Sequence, residues 1–198
     1  MWDERYGAPG WHFGTEPADF LCRHAHLLPP SARILTVAEG EGRNAVFLAR
    51  QGHAVTGFDS SAVGLAKARE LAAGSGVEIA LHHADIDGWD WAPAAFDAVV
   101  AVFCQFADPD LRARLFAGID RTLRPGGVLL LHGYAPRQVG YGTGGPGKRD
   151  HLYTLELLHA AFPGYQTLVS NDYDADLTEG RGHAGRSALI DFVARKPG

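Results

Sequence analysis

Between Arg33 and Leu131, short β-branched apolar runs alternate with stretches whose apolar residues recur at helical spacing. Consecutive strands joined through helices run parallel, and a parallel sheet needs both of its faces covered. Arg33–Ala38 (RILTVA), Ala54–Phe58 (AVTGF), Val77–Leu81 (VEIAL), Asp97–Phe103 (DAVVAVF) and Val128–Leu131 (VLLL) read as buried strands. From Asn44 the pattern is helical, with Ala45, Leu48 and Ala49 on one face and Gly52 as the stop. Ser60 reads as the cap of the next helix, whose apolar face is Leu65, Ala68, Leu71 and Ala72. Asp108-Pro109, a cap followed by proline in the first helical position, opens a third that carries Leu111, Leu115, Ile119 and Leu123 inward. After a helix over Thr154–Phe162, two strands at Tyr165–Tyr173 and Arg186–Ala194 have no helix between them. They are expected to pair as an antiparallel hairpin at the sheet edge. The fold class is α/β, a doubly wound Rossmann-like sheet.

A chain of 198 residues has room for one domain. That domain is expected to span residues 1–198, with residues 1–16 as an N-terminal lid and residues 134–150 as a flexible loop on the substrate side. A net charge of −5 speaks against a nucleic-acid partner. No basic-then-apolar leader and no long apolar run is present, so a soluble, cytoplasmic protein without a membrane partner is expected. Cys22 and Cys104 are too far apart in sequence for a CxxC pair, and Cys104 reads as a small buried residue. His24/His26 and His82/His83 lack the i,i+4 spacing of a zinc site, so no metal is expected.

The chemistry-bearing motif is Gly40-Glu41-Gly42-Arg43-Asn44-Ala45, which fits G-x-G-x-x-G/A between a strand and a helix. Asp59 follows about 20 residues after the loop begins, at the tip of the second strand, where a carboxylate can accept from two ribose hydroxyls. Ser60 lies beside it. A dinucleotide would present a pyrophosphate to this loop. Glu39 and Glu41 would repel it, whereas a cationic ligand such as S-adenosylmethionine (SAM) suits them, with Glu39 holding its ammonium. Asp85, just past the third strand, is placed to meet the adenine amino group, with Ile86 beside the ring. A nicotinamide-dependent oxidoreductase and a non-catalytic SAM-binding protein remain as alternatives.

These residues carry a resemblance. The Glu39–Asn44 loop, Asp59, Asp85, the turn Leu123-Arg124-Pro125-Gly126-Gly127 and the terminal ALIDFVARKP together resemble class I SAM-dependent methyltransferases. AEGEGRN (Ala38–Asn44), FGTEP (Phe13–Pro17) and TGGP (Thr143–Pro146) are similar to a small bacterial group near the tellurite-resistance-type and thiopurine methyltransferases. The resemblance implies a seven-stranded sheet in the order 3-2-1-4-5-7-6 with strand seven antiparallel. It also implies SAM across the carboxyl ends of the first four strands and a small-molecule methyl acceptor. The chain departs from the family pattern at Thr36, where an acidic residue is usual, and at Ala38, where a glycine is.

Acceptor contacts are expected from loops over the strand ends. The segment around Tyr6, Trp11, His12 and Phe13 reads as a lid, with Trp11 able to face a sulfonium. Phe103, expected also to touch the cofactor, and Gln105 end the fourth strand, and Tyr134 ends the fifth, followed by Arg137 and Tyr141. His183 lies in a polar loop near the last strand. His12, Tyr134 and His183 are the candidates for proton transfer, which a thiol or other soft nucleophile would not require. No Asn-Pro-Pro-Tyr-type signature follows the fourth strand, which disfavours amino-group methylation of bases or glutamine.

Overall fold

The computed structural model describes residues 2–198. Its strands are β1 (Arg33–Val37), β2 (Ala54–Asp59), β3 (Ala80–His83), β4 (Phe96–Val102), β5 (Leu123–Tyr134), β6 (Gln166–Glu179) and β7 (His183–Arg195). They form one seven-stranded sheet in the order β3-β2-β1-β4-β5-β7-β6. β1 pairs in parallel with β2 and β4, β2 with β3, and β4 with β5. β7 runs antiparallel between β5 and β6. The α-helices are α1 (Trp2–Tyr6), α2 (Asp19–His24), α3 (Arg43–Arg50), α4 (Ala62–Gly74), α5 (Pro109–Thr122) and α6 (Leu155–Ala161). No helix among the described residues is long and apolar enough to cross a membrane.

Alternating side chains fill two cores. Ile34, Val55, Ala98, Val100, Val128 and Leu130 pack with Phe20 and Leu21 of α2 and Ala45 and Leu48 of α3. Leu35, Val37, Val99, Ala101, Leu129 and Leu131 pack on the other face with Leu115 and Ile119 of α5 and Leu158 of α6. Each fully buried aliphatic side chain contributes roughly 1.5–3 kcal/mol, so this double stripe fixes the register.

Three local expectations are corrected. The hydroxyl of Ser61, not Ser60, caps α4 by accepting from the Gly64 amide at 3.0 Å. β3 begins at Ala80 rather than Val77, because the Val77 amide still bonds the Ala72 carbonyl at the end of α4. The final hairpin runs on to Glu179 and His183. Its outer part was unreadable as strand because residues such as Asp174, Asp176 and Thr178 stand clear of the core and need no apolar alternation. This extension carries the hairpin tip back towards the other strand ends. The chain crosses from one side of β1 to the other between β3 and β4, which opens a crevice at the carboxyl ends of those strands.

Below that crevice, Asp191 of β7 is fully buried. It accepts hydrogen bonds from His132 Nδ1 (2.8 Å), Arg23 (2.8 Å) and the Tyr173 hydroxyl (3.0 Å), tying α2, β5 and β6 together. Burial pushes the Asp191 carboxyl up, but the bonds from His132 and Arg23 outweigh it and hold the group well below the usual carboxylate range. A depressed carboxylate stabilises above its unfolded pKa, near 4, and that stabilisation is lost as pH falls below it. Asp191→Ala leaves His132 without its buried partner, and Arg23 still bonded to Asp19 and the Tyr173 hydroxyl, and is expected to cost about 3–5 kcal/mol in urea unfolding. The variant should also lose part of the wild-type stability decline below about pH 4. A cost under about 1 kcal/mol would contradict this role.

Candidate cofactor and acceptor site

The ends of β1, β2, β4 and β5, the hairpin tip and α1 enclose a cleft of about 680 Å³. A recess of about 100 Å³ adjoins it, sharing Ala38, Asp59, Ser60 and Phe106 with the cleft. Ala38 and Phe103, at the ends of β1 and β4, both take left-handed backbone (φ 50° and 55°). Ala38 thus adopts the conformation that glycine supplies elsewhere in such loops, at a local cost of roughly 1–2 kcal/mol.

The end of the cleft expected to take the cofactor carries two carboxylates. Asp59 Oδ2 accepts from the Gly40 amide at 2.8 Å, and its Oδ1 from the Ser61 amide at 2.7 Å. Burial raises its pKa despite those two bonds. A carboxylate offers about four acceptor sites, so lone pairs remain for hydroxyl donors. Glu39 accepts from the Ala45 amide at 2.9 Å, and burial pushes its carboxyl up to about 7. Asp85 and Ile86 line the recess, with Asp85 also accepting from the Gly88 amide at 2.7 Å. Tyr6 sits here rather than among acceptor contacts: a Cβ on Gly40 would lie 2.7 Å from its hydroxyl.

The remaining loop residues serve other purposes. Glu41 is buried and turns away from the cleft. It accepts from the His12 amide (2.7 Å), the Phe13 amide (3.3 Å) and Lys67 Nζ (3.0 Å). Its charge is answered by Lys67, so the expected repulsion of phosphate rests on Glu39 alone. Gly42 (φ 94°) packs on α4, where a Cβ would come within 2.8 Å of Ala68. Arg43 reaches the cleft wall, but its guanidinium pairs with Glu179 at 2.7 Å. Asn44, also on the wall, accepts from the Ala18 amide at 3.0 Å. Trp11 lies outside the cleft lining, its ring 5.9 Å from Lys67 Nζ, and does not face the cofactor end.

At the other end, the His183 ring is stacked between Phe103 (3.9 Å) and Phe13 (4.5 Å). Its Nδ1 lies 2.6 Å from the Tyr134 hydroxyl. Burial, then the charge of Arg43, holds His183 well below 6.5, and Tyr134 is pushed up by burial. His12 also lines the cleft and is lowered by burial, with Arg5, Arg181 and Lys67 adding to the effect. Gln105 borders the cleft, but its amide is engaged with the Tyr134 backbone (2.8 and 2.6 Å). Arg137 and Tyr141 are not in the lining. Arg137 binds Asp172 and Asp174 on β6, and Tyr141 donates to Asp174 at 2.7 Å. Trp2, Arg5, Lys148 and His151 line the cleft without having been singled out, and Phe106 and Arg181 reach it from the strand-end loops expected to supply acceptor contacts. Their positions follow from the curl of α1 and the hairpin tip, which strand–helix periodicity does not report. Cys104 is buried as expected, its thiol pushed up to about 12.

The ionisation of Glu39 makes a test. If Glu39 holds the ligand ammonium, the pairing requires the charged carboxylate, and S-adenosylhomocysteine affinity should fall up to about tenfold per pH unit below about 7. Glu39→Gln should flatten this profile in calorimetry; an unchanged profile would contradict the assignment. If Asp59 receives the ribose hydroxyls, Asp59→Asn is expected to weaken binding at least about tenfold, because the amide carries no charge and has one acceptor oxygen in place of two.

A family model for a methyltransferase domain matches residues 34–127. No curated protein matches the sequence. The fold is shared with a SAM-dependent methyltransferase from Methanosarcina mazei (16% identity, TM-score 0.72, covering 92% of this chain and 99% of that one). TehB from Haemophilus influenzae is similar at 17% identity and TM-score 0.71, over 98% of this chain and 65% of its own. The 1,6-didemethyltoxoflavin-N1-methyltransferase of Burkholderia thailandensis, solved with 1,6-didemethyltoxoflavin and S-adenosylhomocysteine, is 25% identical with TM-score 0.64. That match covers 90% of this chain and 76% of the other. The segment that resembles a methyltransferase domain, residues 34–127, thus runs from β1 through the turn within β5.

Proposed function

We propose that this SAM-dependent methyltransferase transfers a methyl group to a soft nucleophile, a thiol or similarly acidic atom, of a small-molecule acceptor. The carrying observation is that His183 faces Tyr134 and two phenyl rings, with no carboxylate among the described residues within ion-pair distance. An imidazole held neutral, with its pKa lowered, is a weak base. It suits an acceptor that ionises unaided near neutral pH and does not suit an alcohol or simple phenol. The match to small-molecule methyltransferase structures supports a small acceptor.

Glu39 and Asp59 would hold the ligand's ammonium and ribose, and the recess beside Ile86 would take the adenine. Bound there, SAM supplies a methyl group on a cationic sulfur, and transfer to a thiolate gives a thioether and S-adenosylhomocysteine. Phe13, Phe103, Tyr134 and His183 wall the acceptor side and orient the nucleophile. Positioning of this kind can lower a barrier by roughly 7–11 kcal/mol at best. Residues 2–16 would serve as the lid, residue 1 of the expected lid lying outside the described residues. Lys67 Nζ donates to the carbonyls of Ala8 (3.0 Å) and Gly10 (2.6 Å), and the His12 carbonyl accepts from the Arg181 amide at 2.9 Å. Residues 134–150 border the acceptor, with Gln138 bonding Thr143 Oγ1 at 3.0 Å inside that loop.

S-adenosylhomocysteine release across a panel of thiols, phenols and amines is expected to be fastest with thiols. His183→Ala should then lower kcat by less than about tenfold, against the 100- to 10,000-fold expected on removing a general base. Turnover confined to phenols or amines, or the larger loss, would contradict this reading.

A further inference from the structure

The cleft is charged unevenly. Its carboxylates, Glu39 and Asp59, both sit at the cofactor end. Arg5 of α1, Lys148 of the loop after β5 and Arg181 of the β6–β7 turn reach the same cleft from three distant parts of the sequence. Among the described residues none of the three has a carboxylate within ion-pair distance. Arg5 lies over the Trp2 ring at 4.9 Å, and Arg181 donates to the Pro9 carbonyl at 3.1 Å. Arg43, the other arginine in the wall, is already neutralised by Glu179. In a chain of net charge −5, three uncompensated cations around one opening form a local field of the opposite sign.

Beside them stands the flat stack of Phe103, His183 and Phe13. We infer that the methyl acceptor is a planar aromatic molecule bearing an anionic substituent, such as a carboxylate, separate from the atom that is methylated. Its ring lies against the aromatic wall, and Lys148 and Arg181 pair with its anionic group. This rests on the reading that Glu39 and Asp59 form the cofactor end. The same cations could instead receive the cofactor's own carboxylate, since both ligands offer that group. Lys148 and Arg181 lie on the loop and the hairpin tip that border the acceptor wall of Tyr134 and His183, and this favours the acceptor.

The test is calorimetry at neutral pH with benzoate, indole-3-carboxylate and 2-mercaptobenzoate, each against its carboxamide, with and without saturating S-adenosylhomocysteine. At least one acid is expected to bind about tenfold or more tightly than its amide. The Lys148→Gln/Arg181→Gln double variant should abolish that difference and change the S-adenosylhomocysteine Kd less than about twofold. Acids no tighter than their amides in every pair would overturn the proposal. A double variant that weakens S-adenosylhomocysteine as much as the acid would also overturn it, assigning the cations to the cofactor. Acid selectivity that depends on both cations in a protein unable to bind S-adenosylhomocysteine would support the anion site while refuting the cofactor reading.

Discussion

Asp59 holds the functional end of the molecule together. Its two oxygens bind the amide of Gly40, in the loop leaving β1, and the amide of Ser61, the residue that caps α4. One buried carboxylate thereby fixes the glycine loop against the start of the next helix. Asp3 of α1 extends the chain of contacts by accepting from Ser61 Oγ at 2.5 Å. The order of strands places this carboxylate at the end of β2, next to the β1–β4 switch point where a doubly wound sheet opens a crevice. Loop, helix cap and N-terminal segment all take their positions from it.

Around that centre, charges are segregated by depth. Asp191, buried beneath the cleft, has its acceptor capacity filled by four side chains and serves packing alone. Glu41 is likewise filled, by Lys67 and two amides, and fastens the N-terminal segment. Glu39 and Asp59 differ because they border open space and keep unused lone pairs. Buried carboxylates with spare acceptor capacity beside a cleft are the groups able to meet a ligand.

The sheet was legible because the strand–helix alternation is strong from Arg33 onward and the turn signals are local. The places of Glu39 and Asp59 beside the cleft were legible for the same reason: Glu39 stands two residues beyond the end of β1, and Asp59 ends β2. Glu41 was misread because a motif gives a residue's place in the chain and not the direction of its side chain; Lys67 lies on another element. Arg137 and Tyr141 were misread because their partners, Asp172 and Asp174, lie on a strand whose outer half carries no apolar pattern. That Arg5, Lys148 and Arg181 share one cleft was out of reach, since only the folded hairpin and α1 bring them together.

A crystal structure of the protein with S-adenosylhomocysteine tests the account most directly. The account predicts adenine in the recess beside Ile86, both ribose hydroxyls on Asp59, the ammonium at Glu39 and the sulfur facing the Phe103–His183 wall. A ligand bound elsewhere, or held with Asp59 and Glu39 making no contact, would contradict it.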